Sequence, residues 1–467
     1  MIACNLHKMK WFLKYLCGLK IKGMRKFPNA LVIMIGFIIL ASILTYIVPH
    51  GSYERITNSE TNQITVIPNS YKQIDAESVS IMETFRAIPE GIISRADLIA
   101  LVFLLGGCFF VIEKTGALKN GIEFLTSNLK GKEVFALVLV SLIFVAAGAL
   151  FGLQEEIIAL VPVLLFLTNK LGYNAFVAIS ISYIAAIIGA SFSPINPFAV
   201  GVAQKEVGLE FLSAAGYRLI LLGIAYLVFI ILVIRYANKN RIEKVEDSNS
   251  DKVKLSPRSF LIMTIVTIGF VFLVYGMMEL NWGFNEMSAE FFVLGLIVGV
   301  IGKLGINGTA EAYIEGFKEM TFAVMIIGFA SSISIILEKG MIIDTIIYGL
   351  FKPMQYLPES LAAVSMMISQ ALLHFPVPSY SGQAVLTMPI LAPLSDLIGV
   401  SRQVCVMAYQ YGAVMMDLLI PTNGSLMAII ALAGISFDKW FKFALKITLA
   451  IMAVGASGIV VATIIGI

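Results

Sequence analysis

SFSPINPF (Ser191–Phe198) and LIPTNGS (Leu419–Ser425) decide how this chain is read. Each sets proline and asparagine inside an otherwise apolar run. Pro194 pairs with Pro421 and Asn196 with Asn423, both 227 positions apart. Working outward, Pro162/Pro389, Gly172/Gly399, Leu164/Leu391, Leu167/Leu394, Val177/Val404 and Ala186/Ala413 keep the same offset. Proline donates no amide hydrogen bond, so a helical ladder must break at each motif. Matched, interrupted apolar segments in two halves of a chain point to a transporter's binding site.

The surrounding composition is that of a membrane protein. The chain has 467 residues, 58% hydrophobic and 13% charged, with mean hydropathy +0.90. Soluble chains run about 45–50% apolar and about 25% charged. The net charge of +3 is small. Basic residues gather at the ends of apolar runs, which argues against a nucleic-acid partner. Cys4, Cys17, Cys108 and Cys405 lack CxxC spacing, and His7, His50 and His374 are dispersed. Neither a metal cluster, a disulfide framework nor a cofactor is expected. The first apolar stretch is long enough to span and has no small-residue cleavage site after it, so it does not read as a cleavable signal. MRKFPN, from Met24, would also open a membrane protein.

Spanning helices need roughly 20 apolar residues. The sequence predicts them at 30–48, 98–112, 134–151, 175–190, 212–234, 260–280, 291–301, 321–337, 361–373, 404–420 and 443–465. Lysine and arginine asymmetry orients the bundle. Lys8, Lys10, Lys14, Lys20, Lys22, Arg25 and Lys26 make 1–27 a basic cytoplasmic leader. The first membrane half covers 28–234, with an acidic extracytoplasmic loop at 50–90. A basic cytoplasmic linker follows at 235–258, and the second half covers 259–467. EKTG (Glu113–Gly116) and EKG (Glu338–Gly340) close corresponding helices of the two halves.

Four places read as non-helical within the apolar field: 151–162, 191–197, 375–393 and 420–424. Exposed backbone groups in hydrocarbon each cost several kcal/mol, so such breaks survive only where protein or a water-filled cavity covers them. A lone proline in a membrane helix is ordinarily a kink. Two matched pairs of breaks favour a site. Its candidate ligands are Glu155, Glu156, Ser193, Asn196, Ser379, Ser381, Gly382, Gln383, Asp417, Thr422, Asn423 and Gly424. Gln154 is also available, and Gly382 marks the expected tip of a re-entrant hairpin.

Ionisable residues within the apolar field are functional candidates by default. Glu155, Glu156 and Asp417 would favour a cationic group, a proton or a sodium ion. An anionic substrate would use helix N-termini, hydroxyls, amides or an arginine instead. His374, at the end of an apolar run, reads as a packed or interfacial residue. Arg402, Asp396, Lys170 and Asn169 read as interfacial.

At these residues the chain resembles the YfcC-type carriers of the C4-dicarboxylate anaerobic carrier (DcuC-like) group. The resemblance runs from about Lys26 onward. It rests on FGLQEE (Phe151–Glu156), SPINPFAVGVAQ (Ser193–Gln204), SGQAVLTMPILAPLSDLIGVSRQ (Ser381–Gln403) and IPTNG (Ile420–Gly424). It implies an all-α polytopic fold of the ion-transporter superfamily. Two inverted repeats would each contribute a re-entrant hairpin and a broken helix. It also implies a homodimer in the bacterial plasma membrane. The chain departs from the group's pattern at GAVMMD (Gly412–Asp417), where many members have a glycine-rich stretch ending in asparagine. That departure adds a carboxylate.

The expected function is a secondary active transporter of small charged metabolites, a symporter or exchanger coupled to a sodium ion or proton. The carboxylates lean it toward basic amino acids such as arginine and ornithine. The alternative is a C4-dicarboxylate or other carboxylate carrier. Direct ATP coupling is not expected, because Glu113 stands where the Walker-like string from Gly106 would need glycine. No HExxH, GxSxG or CxxC supports an enzyme. A channel would also tolerate broken helices, but two non-identical half-sites suit alternating access better.

Overall fold

In the computed structural model, residues 30–57, 64–67, 70–128, 132–242, 256–280 and 282–467 are described. The expected basic leader (1–27) and most of the expected linker (243–255) lie outside them. Within the expected linker, Arg235–Lys239 end one helix and Pro257–Arg258 open the next.

Apolar composition makes almost everything described helical. The first half opens with α1 (Ala30–Ile47). Four short strands then form two antiparallel pairs: β1 (Gly51–Ser52) with β4 (Lys72–Gln73), and β2 (Arg55–Thr57) with β3 (Ile64–Val66). The described residues of the expected loop 50–90 thus carry short strands. Its end is helix α2 (Ile81–Ser94), started by a capping box in which Ser80 and Glu83 satisfy each other's backbone amides. Then come α3 (Ala96–Lys114), α4 (Ala117–Asn128), α5 (Glu133–Phe151) and α6 (Ile157–Lys170). The first broken helix consists of α7 (Ala175–Ile179), a π-turn (Ser180–Ile184), α8 (Ala185–Phe192), the SPIN break, a second π-turn (Pro197–Gly201) and α9 (Val202–Glu206). Helix α10 (Ala215–Lys239) ends the half.

The second half begins with α11 (Pro257–Glu279), α12 (Phe284–Ile301), the long α13 (Gly305–Lys339) and the short α14 (Ile343–Phe351). A hairpin follows, α15 (Glu359–Leu373) and α16 (Tyr380–Ile398). The second broken helix is α17 (Arg402–Met416), the PTN break and α18 (Gly424–Leu432). Helix α19 (Phe437–Ile465) closes the chain. Among the described residues, seven helical stretches are long and apolar enough to cross a membrane, including Ala175–Glu206 taken through its break. The chain is a multi-pass membrane protein.

The 227-residue offset holds at the level of backbone geometry. Gly172 and Gly399 both end a hairpin in the left-handed region, at φ 82° and 89°, a conformation that glycine adopts without steric cost. Asn174 and Ser401 both cap the following helix, accepting the amides of Val177 and Val404 at 3.3 and 3.1 Å. In each half the first hairpin arm lies tightly against the first segment of the broken helix. A Cβ on Gly148 would stand 2.0 Å from the Ala186 carbonyl oxygen, and one on Gly412 would stand 2.1 Å from that of Met367. Small residues at such crossings let backbones approach closely. Helices α2, α3, α12 and α13 pack together beside these elements.

The structure corrects the extent of two breaks. The expected non-helical stretches 151–162 and 375–393 are much shorter, confined to 152–156 and 374–379. Pro162 lies inside α6, and Pro389 and Pro393 lie inside α16. A proline removes one rung of the ladder, and neighbouring helices hold the remaining turns in place. Gly382 is in the first turn of α16 rather than at the hairpin tip.

Candidate functional site

The two asparagines of the breaks do the same backbone work. Asn196 Oδ1 accepts the Ala199 amide at 2.9 Å, and Asn423 Oδ1 accepts the Leu426 amide at 2.9 Å. Each caps the helix that resumes after the break. Their side-chain amides point to different partners.

In the first half the break is sealed. Asn196 Nδ2 donates to the Gly148 carbonyl at 2.9 Å, while Ser193 Oγ donates to Ala149 O at 2.7 Å and accepts the amides of Ile195 and Asn196. The carbonyls of Ala190 and Ser193, freed by the prolines, accept from Gln410 Nε2 of α17, both at 2.9 Å. Gln410 Oε1 in turn accepts from Arg218, a fully buried cation on α10. Ser193 and Asn196 are both 0% exposed.

In the second half the break is built round Asp417. Its Oδ1 accepts Asn423 Nδ2 at 2.5 Å and faces His374 Nε2 at 2.9 Å. Its Oδ2 accepts Gln154 Nε2 at 2.9 Å and the Tyr380 hydroxyl. The carboxylate therefore joins both hairpins to the second broken helix. Behind it a polar file continues into the protein: His374 Nδ1 to Gln383 Oε1 at 2.7 Å, and Gln383 Nε2 to the Gln370 carbonyl at 2.8 Å. Of the expected packed or interfacial placements, His374 takes the packed one: it is completely buried, and its bonds to Gln383 and Asp417 are what the sequence did not announce.

A cavity of about 720 Å³ opens beside this carboxylate. Both hairpin tips, the second break, and parts of α3, α12 and α13 line it. Such a volume suits a small-molecule site. Of the expected ligands, Glu155, Glu156, Ser379, Ser381, Asp417, Thr422, Asn423 and Gly424 line the cavity. Ser193, Asn196, Gly382 and Gln383 do not. The first break reaches the cavity only through Phe198. Glu156 Oε2 accepts the Gln154 amide at 3.2 Å across the turn, and both glutamates stand at the start of α6, where the helix dipole favours an anion. Among the described residues Glu155 forms no ion pair, and Thr422 Oγ1 and Ser334 Oγ, which also line the cavity, have no partner.

Helices α6, α16 and α18 all present their N-termini to this space, and Glu338 and Arg95 add charges of opposite sign at its wall. Sequence reasoning missed Arg95, Tyr380, Gln410 and Arg218. Arg218 could have been found, since it lies within the expected span 212–234 and an intramembrane charge is a signal in itself. Tyr380 and Gln410 carry no such signal.

The family model described as C4-dicarboxylate anaerobic carrier, DcuC, matches residues 27–464. A protein of Haemophilus influenzae without an assigned function is 30% identical, over 93% of this chain and 96% of its own length. The protein of Escherichia coli K12 named "Putative basic amino acid antiporter YfcC" is 30% identical, over 89% of this chain and 92% of its own. Two transporter structures align with lower similarity. YdaH of Alcanivorax borkumensis has TM-score 0.41 and 14% identity, covering 94% of this chain and 99% of its own. MtrF of Neisseria gonorrhoeae has TM-score 0.42 and 15% identity, covering 94% and 95%. By the match across nearly its whole length, the chain belongs to the C4-dicarboxylate anaerobic carrier (DcuC) family.

Proposed function

We propose that this chain is a secondary active carrier in the bacterial plasma membrane, and that it moves small metabolites bearing a cationic group, basic amino acids foremost. The observation that carries the reading is the lining of the cavity. Glu155, Glu156, Asp417 and Glu338 line a space of about 720 Å³ together with one arginine, Arg95. The N-termini of α6, α16 and α18 supply the opposite polarity. An amino acid's carboxylate suits helix N-termini, and its ammonium or guanidinium suits the carboxylates. The relative named as a basic amino acid antiporter agrees with this lean.

A second reading keeps the family's own description, a C4-dicarboxylate carrier. Three helix N-termini and Arg95 favour it, since they offer an anion more than one point of attachment. The reading includes energy drawn from an ion gradient or from exchange, with a sodium ion or proton as the coupling ion.

Reconstitution into liposomes separates the two. Labelled arginine, ornithine, succinate and malate are offered with and without sodium or pH gradients. Saturable uptake and counterflow of arginine or ornithine are expected. Uptake of succinate or malate alone would replace this reading with the second, and an ohmic single-channel current would remove the carrier altogether.

A further inference from the structure

The ring of His374 lies between two oxygens, and the hydrogen bonds around it fix where its protons are. Gln383 Nε2 is 2.8 Å from the backbone carbonyl of Gln370 and 2.5 Å from its Oε1. A backbone carbonyl only accepts, so the amide nitrogen of Gln383 must point there. Its oxygen therefore faces His374 Nδ1 at 2.7 Å, and Nδ1 carries a hydrogen. On the other side Nε2 stands 2.9 Å from Asp417 Oδ1. Two lone pairs facing each other at that distance would repel, so a second hydrogen lies between them. The orientation of Asn423 is fixed as well. Its Oδ1 caps Leu426, so its Nδ2 must donate to Asp417 and cannot supply an acceptor there. The ring and carboxylate together hold one proton more than a neutral imidazole beside an ionised carboxylate would.

We propose that His374 and Asp417 share this proton between Nε2 and Oδ1, and that they form the carrier's exchangeable proton site, so that the coupling ion is a proton. The proposal rests on the reading of the cavity as the substrate site. His374 terminates α15, where the helix dipole favours a cation. It makes the one ion pair that Asp417 has among the described residues. The other titratable groups within electrostatic reach of Asp417 are Glu155 from the turn before α6, Tyr183 from the π-turn, Tyr380 from α16 and Tyr409 from α17. None of these supplies a positive charge. Arg95 faces Glu155. Asp417 lines the cavity while His374 lies behind it. A substrate cation arriving beside Asp417 brings a second positive charge to one carboxylate, which disfavours the imidazolium. The shared proton then leaves through Asp417 Oδ1 to cavity water; the ring becomes neutral with its hydrogen on Nδ1, and the carboxylate, now bound to the substrate cation, gives up its contact with Nε2. Release of the substrate restores the vacancy, and a proton from water refills it. Proton and substrate cation thus alternate on Asp417, which is exchange rather than symport.

The test is nitrogen NMR of the full chain, labelled with ¹⁵N-histidine and held in lipid nanodiscs. His374→Gln assigns the signal among the three histidines. In the wild type both ring nitrogens of His374 are expected to be protonated, or Nε2 to share its proton, at near-neutral pH. At alkaline pH the ring should become the neutral Nδ1–H form. Asp417→Asn should leave the ring neutral already at near-neutral pH. A ring that is neutral at near-neutral pH in the wild type, or that does not change with pH, overturns the proposal. Uptake of arginine with such an invariant ring sinks the proton site and leaves the substrate reading. A ring that titrates as expected, with none of arginine, ornithine, succinate or malate transported, sinks the substrate reading and leaves the proton site.

Discussion

The SPIN and PTN breaks are two copies of one backbone device put to different uses. Both interrupt a helix at proline, and both restart it under an asparagine cap, with bonds of equal length to residues 227 positions apart. In the first copy the asparagine's spare amide is held by the Gly148 carbonyl, and the carbonyls of Ala190 and Ser193 by Gln410. In the second the spare amide of the asparagine turns to a carboxylate that borders a cavity. The backbone break is therefore not what makes a site. The two breaks differ in that Asp417, Thr422 and Asn423 of the second line the cavity, whereas Ser193 and Asn196 of the first do not. Ala190 occupies the position matching Asp417 in the first half.

Substitutions at the two breaks and their supports separate the two uses. The largest effect is expected at Asp417→Asn. A hydrogen bond to a charged group contributes about 1.5–3 kcal/mol, so uptake of a cationic substrate should fall about 10- to 100-fold. Unchanged arginine uptake in that variant would show that Asp417 is not the counter-charge. Gly148→Ala and Gly412→Ala come next. Each places a methyl within about 2 Å of a backbone oxygen, and both should lose about 1–3 kcal/mol of stability. Thermal unfolding in detergent measures this. A loss in one variant only would break the structural equivalence of the halves.

Gln410→Ala should cost about 1 kcal/mol or somewhat more, because two buried carbonyls and the Arg218 guanidinium lose a partner. Its substrate KM should stay unchanged, whereas Gln154→Ala, on the cavity side, should raise KM. The smallest effect is expected at Arg402→Ala. Its pair with Asp396 at the hairpin exit is 2.7 Å long but about half exposed, 44% and 46%, and such pairs contribute at most about 1 kcal/mol. A large loss of uptake there would mean that the cavity is not the whole site.

The division into helices and the position of both breaks were legible because proline and glycine act locally. Gly172/Gly399 and Asn196/Asn423 announced their geometry in sequence through the shared offset. The prolines inside α6 and α16 misled, since a single missing amide bond does not end a helix that neighbours support. The site was only half legible. Deep acids stand out against apolar surroundings, so Glu155, Glu156 and Asp417 were found. His374 was read only as packed or interfacial, and its bond to Asp417 was missed because that partner lies 43 residues away. The sealing of the first break was invisible for the same reason, as Gln410 lies 217 residues beyond Ser193.

On this proposal the second break binds substrate and the first holds the fold. The equilibrium affinity of purified Asn196→Ala and Asn423→Ala tests it, measured by calorimetry with whichever of arginine, ornithine, succinate or malate the wild type transports. Both variants lose a helix cap, at about 1 kcal/mol each, so both should unfold at lower temperature. Asn423→Ala should also bind about tenfold more weakly, equivalent to about 1.4 kcal/mol, while Asn196→Ala binds as the wild type does. Equal weakening in the two variants would contradict the account.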